Sequence, residues 1–153
     1  MIDRVLDFLT GKAAPTTAKG EHDFELAVAA LLIEAERMAD CFDSAERAMI
    51  EHVLAAKFSM DHVEVQELIA AAEKAVRNAT QLFPFTQKIV KTMPPEDRHH
   101  ILELMWKVAY ADGTLDPHED MLLRRIAGLL HVPDRERGLA RQSALDKLKK
   151  LTQ

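Results

Sequence analysis

An all-α fold follows from three features of the sequence. Apolar residues recur at helical spacing almost without interruption from Glu21 onward. The six prolines and five glycines fall mostly between those periodic segments. No segment shows the alternation of a half-buried strand. At 153 residues, 48% hydrophobic and 29% charged, the chain has ordinary globular composition and length for one core. The expectation is a single domain of about seven or eight helices over residues 21–153. Residues 1–20 precede it as a short amphipathic helix and a flexible linker.

In the N-terminal piece, Ile2, Val5, Leu6 and Leu9 share one helical face. A helix of that length needs a surface to dock on. Lys12 to Gly20 is small, polar and proline-containing, hence the linker. Phe24, Val28, Leu31, Ala35 and Met38 then form a stripe, with Leu26, Ala30 and Ile33 beside it and Glu34 between the two. Further stripes are Met49, Ile50, Val53 and Leu54, then Val65, Leu68, Ile69, Ala72 and Val76. Phe83, Phe85, Ile89, Val90 and Met93 form a shorter segment entered through Pro84. Pro94-Pro95 opens the next helix, since proline suits a first turn. Ile101 to Ala111 is apolar on most of its circumference and is expected to be the central, most buried helix. Pro117 opens a helix through Leu130, and Pro133 opens the last, which ends at Lys147, Lys149 and Lys150.

The chain repeats itself. Ala39-Asp40-Cys41-Phe42-Asp43-Ser44-Ala45-Glu46 matches Ala111-Asp112-Gly113-Thr114-Leu115-Asp116-Pro117-His118-Glu119, with one extra residue in the second loop. Asp61 and Asp134 stand at the same offset, each opening a further helix. Two copies of a helical hairpin are implied, not a solenoid.

Each corner carries three acids. In the second, Asp112 prolongs the stripe of Ile101, Met105 and Val108, so its carboxylate is expected to lean toward the core. Gly113 is placed to take a left-handed helix ending. Asp116 stands at an N-cap, Pro117 at the first helical position, and Glu119 three residues after the cap, on the stripe of Leu122, Leu123 and Ile126. Two readings stay open. Asp116 with Glu119, and Asp43 with Glu46, match a capping box, where the cap accepts from the helix amides and the glutamate reaches back. Alternatively, Asp112, Asp116 and Glu119 converge as oxygen ligands for a hard divalent cation, with calcium, magnesium or manganese favoured over zinc. Asp40, Asp43 and Glu46 would be a degenerate second site, with Cys41 where glycine is expected. The acid spacing does not match an EF-hand loop. Glu34 is expected to make a surface salt bridge or a partly buried polar contact.

The stretch from Leu31 to Glu46, and above all Met105 to Glu119 with its A-D-G-x-[LIV]-D-x-x-E pattern, resembles the TerB tellurite-resistance family. The likeness covers about Phe24 to Leu145 and both repeats. It implies an all-helical fold with an internal pseudo-repeat and a bacterial, cytoplasmic stress-response setting. It also implies divalent-metal binding at the acids just named. Tellurite is itself an anion, and acidic corners would repel it, so a metal-responsive role fits better than direct capture.

Other chemistry is poorly represented. The lone cysteine has no partner for a disulfide, and the seven histidines show no ligand spacing. There is no phosphate-binding glycine loop and no nucleophile elbow, so no enzyme is expected. Trp106 and Tyr110 share a helix face, as core or as an aromatic patch. The methionines read as core filler. The net charge of −5 argues against nucleic acid as partner, and no apolar run is long enough for membrane insertion. The absence of a leader pattern makes the cytoplasm the expected location. The expected function is a non-enzymatic, metal-responsive module of a stress response. The alternative is a scaffold for other proteins or for its own homodimer, in which the acids are helix caps only.

Overall fold

The computed structural model describes residues 15–38 and 44–151. The expected N-terminal helix at residues 1–9, and Asp40, Cys41 and Asp43 of the first corner, lie outside the described residues.

Seven α-helices and one 3-10 turn make up the described chain, with no strand among them: α1 (Pro15–Met38), α2 (Ser44–Phe58), α3 (His62–Asn78), α4 (Phe83–Thr92), the 3-10 turn Pro95–Asp97, α5 (His99–Ala109), α6 (Pro117–Leu129) and α7 (Asp134–Leu151). The expected linker is helical from Pro15. Proline supplies the φ of a first turn, and each residue added to an existing helix costs far less than starting one.

The helix holding most of the Ile101–Ala111 segment, α5, is heavily buried as expected, with seven of its eleven residues buried, and the helix that touches most of the others is α1. It packs against α2, α3, α4, α5 and α6, and Ala27 to Ile33 are seven consecutive buried residues. A helix surrounded on all sides needs apolar side chains all round. Ala-Val-Ala-Ala-Leu-Leu-Ile provides that, with alanines letting neighbours approach closely. The segment α5 carries Glu103 and Lys107, and is covered on its outer side by α7.

The duplication is physical. Both α2 and α6 end in the same way, with Ser59 at φ 52° and His131 at φ 59°. The next amide bonds back five residues, Met60 N–H to Ala55 O at 3.2 Å and Val132 N–H to Ala127 O at 2.9 Å. This is the left-handed helix ending of a Schellman motif, made twice without glycine. The third helix of each copy starts at the corresponding point. In the first copy Asp61 forms a full capping box, accepting from Glu64 N–H at 2.8 Å while its own N–H donates to Glu64 Oε1 at 3.3 Å.

Two arginines tie the helices together. Arg98 is buried and donates to three main-chain carbonyls: Met93 O at 3.2 Å, Val90 O at 3.0 Å and Leu130 O at 3.3 Å. Those are the carbonyls that the ends of α4 and α6 leave open. Arg47 on α2 holds both oxygens of the buried Glu36 on α1, at 2.8 and 2.7 Å, and reaches Glu73 on α3 at 3.2 Å. Two of the methionines expected in the core, Met38 and Met121, are exposed, as is Phe83.

Candidate functional site

The acidic corner between α5 and α6 is built by its own loop. The helix α5 stops at Ala109, and Gly113 takes φ 91° with its N–H on Tyr110 O at 2.9 Å. That left-handed residue is the role read for it in the sequence. Asp112 follows a different course from the one expected. It is exposed, and its Oδ1 accepts from Thr114 N–H at 3.0 Å and from Thr114 Oγ1 at 3.2 Å. A short carboxylate beside a loop amide closes an Asx-turn, and this local bond outcompetes a buried position.

Asp116 is the N-cap of α6, accepting from His118 N–H at 2.8 Å, with Pro117 in the first turn. The imidazole Nδ1 of His118 lies 3.3 Å from the same carboxylate oxygen. The capping box expected here is only half made, because Glu119 does not reach back to the cap. Its side chain turns inward and is 1% exposed.

There it meets Glu46, the corresponding glutamate of the first copy, which is 2% exposed. The third acid of each expected site is therefore in the same seam. Residues 73 apart in sequence bring their carboxyls into hydrogen-bonding reach in the seam where α2 and α6 approach the core. Burial pushes the Glu119 carboxyl up to about 9, reinforced by the charge of Glu46, a hydrogen bond shared with it, and the charges of Asp116 and Asp112. Like charges this close cannot both ionise cheaply. With both carboxyls ionised, Glu119 Oε2 meets no hydrogen-bond donor among the described residues. A proton on one of the two carboxyls lets it donate to the other, in line with the raised Glu119.

The donor set is all carboxylate, which fits a hard divalent ion. Among the described residues no three histidine, cysteine, aspartate or glutamate side chains are already disposed to hold a metal. Asp40 and Asp43, which belong to the same corner as Glu46, lie outside them. What the described geometry provides is a buried pair of carboxyls, with the charges of Asp116 and Asp112 near enough to raise Glu119 further.

Glu34 stands apart from this seam. It is partly buried and lies 3.5 Å from the exposed Arg37 one turn on. Trp106 is buried and Tyr110 stacks beside it at 5.8 Å between ring centroids. Arg141 of α7 lies over both rings and donates to the Tyr110 hydroxyl at 2.7 Å. This pair thus clasps α7 to α5. Sequence reading passed over Glu103, which is buried and bonded by Lys147 from the basic tail. Burial alone would raise that carboxyl. The Lys147 hydrogen bond and charge, with Lys107, outweigh it and hold Glu103 below the usual carboxylate range. Glu103 and Lys107, four apart on a mostly apolar helix, were the available signal.

A duplicated helical hairpin whose two copies share a carboxylate seam defines the class. The family model for tellurite resistance protein TerB matches residues 25–142. The chain belongs to the TerB family. No curated protein and no solved structure matches it. No described helix is long and apolar enough to cross a membrane.

Proposed function

We propose that this chain is a non-enzymatic TerB-family module that binds a divalent cation at the seam between its two copies. Glu119 and Glu46 would hold the ion in place of their shared proton, with Asp116 and Asp112 adding negative potential. Calcium, magnesium or manganese suits such oxygen donors better than zinc. The setting we propose is a cytoplasmic stress response in a bacterium; what supports it is a family described by tellurite resistance. The observation that carries the reading is the buried Glu119 carboxyl, which faces a second carboxyl rather than a helix amide. Because the ion would bridge α2 and α6, its occupancy would stiffen the junction of the two repeats. A partner sensitive to that junction would then read the ion's concentration.

The alternative is a scaffold for other proteins or a homodimer whose acids serve as caps only. Asp116 and Asp112 fit that description, since each bonds its own loop or helix. It leaves the inward turn of Glu119 without an account.

Thermal unfolding after chelator treatment separates the two. A cation that binds only the native state adds about 2.7 kcal/mol at a hundredfold excess over its Kd. A rise of Tm with one of the four ions, lost in Glu119→Gln and kept in the exposed Lys149→Gln control, supports the cation site. No rise with any ion leaves the scaffold reading.

A further inference from the structure

A second groove lies away from the acidic seam, and its chemistry is opposite. Arg37 of α1, Arg77 of α3 and Arg125 of α6 line one cleft of about 270 Å³, with Glu34 as its acidic residue and Leu82 and Phe85 among its apolar ones. All three arginines are exposed. Among the described residues Arg77 and Arg125 have no carboxylate within ion-pair distance, and Arg37 has only the 3.5 Å contact to Glu34. In a chain whose net charge is −5, this is a local excess of two positive charges.

Arg37 and Arg77 occupy the last turns of their helices, where the dipole favours a cation. That accounts for each singly. It does not account for their convergence, nor for Arg125, which stands outside any such end. Three guanidinium groups facing one cleft repel one another unless an anion joins them.

We propose that this groove binds a small phosphate monoester. A phosphate dianion matches the net charge of the three arginines and Glu34. Guanidinium forks pair with its oxygens in bidentate fashion. The cleft, of about 270 Å³ and open to solvent, is of a size that suits a small molecule. Leu82 and Phe85 take the organic part of the ester. Glu34 acts as an internal competitor, holding Arg37 when the groove has no ligand. This site is independent of the cation seam.

The test is a titration of the full chain at pH 7.5 with inorganic phosphate and with phenyl phosphate, against sodium chloride at matched ionic strength. Arginine Nε–H resonances are followed by NMR. Saturable shifts of Arg37, Arg77 and Arg125 are expected, with phenyl phosphate binding about tenfold tighter through its buried ring. Arg77→Gln and Arg125→Gln should each weaken binding by about tenfold, and Glu34→Gln should tighten it. All three positions are at or near the surface, so the fold tolerates them. Shifts that chloride reproduces, or that survive both arginine substitutions, overturn the proposal.

Discussion

Replacing Glu119 by glutamine tests the carboxyl pair directly, because the amide keeps the shape and removes the charge. Wild-type Glu119 is raised from 4.5 to about 9 by burial and by Glu46, Asp116 and Asp112. Between those limits the native state keeps a proton that the unfolded chain has released. Stability must therefore fall as pH rises through that window, by at most about 1.4 kcal/mol per pH unit for one whole proton. Below pH 4.5 both states are protonated and the contribution is fully present. Over two pH units near neutrality the wild type should lose roughly 1–3 kcal/mol. Glutamine at 119 has no proton to lose, and its amide can donate to the Glu46 carboxylate. In chelator at pH 8 the variant should be the more stable protein, by roughly 3–10 °C in Tm for a chain of this size. Calorimetry or thermal circular dichroism from pH 5.5 to 8.5 reads both the gain and the flattened slope. Equal slopes in the two proteins, or a variant less stable at pH 8, would refute the shared proton. If a cation takes the proton's place, it should also flatten the wild-type slope and protect more strongly as pH rises.

Other substitutions probe the frame around the site. Arg98→Met strips the donors from one buried and two part-buried carbonyls at the ends of α4 and α6, and should cost about 2–4 kcal/mol in urea unfolding; a loss under about 1 kcal/mol would mean that water replaces the guanidinium. Gly113→Ala meets no neighbour but must hold φ 91°, so about 1 kcal/mol of destabilisation is expected from the backbone alone. Gly128→Ala, also in open space but within α6, should instead stabilise by roughly 0.5–1 kcal/mol, and the opposite signs in paired melts are the check. Glu103→Gln removes a carboxyl held below its ordinary range by Lys147. The stability it contributes is present above the unfolded carboxylate pKa and lost as pH falls, so the gap between wild type and variant in acid titration should close toward low pH.

Local order was readable in the sequence because it rests on neighbours three and four residues apart. The helices, the left-handed Gly113, the Asp116 cap with Pro117 behind it, and the doubling of the corner all belong to that range. At the far ends of α2 and α6 no glycine marked the stop, yet both close in the same Schellman ending at Ser59 and His131, since helix ends tolerate a left-handed residue other than glycine at modest cost. The same local logic put Glu119 correctly on the buried stripe of its helix but misplaced Asp112, which is exposed. Sequence puts an acid on a face of its own helix and cannot weigh an Asx-turn against a core position.

Tertiary packing settled the rest. Glu46 and Glu119 meet because two hairpins fold onto one central helix, and that contact has no trace in the spacing around either residue. That α1 touches most of the other helices was likewise decided by packing and not by how apolar it is alone. Arg98, Arg47 and Lys147 found partners on other helices for the same reason: a long cation reaches whatever open carbonyl or carboxylate the packing brings within range. The sequence determined which helices form and where they stop, through energies local to each turn. The packing of those helices decided which charges face one another, and with that the chemistry of the seam.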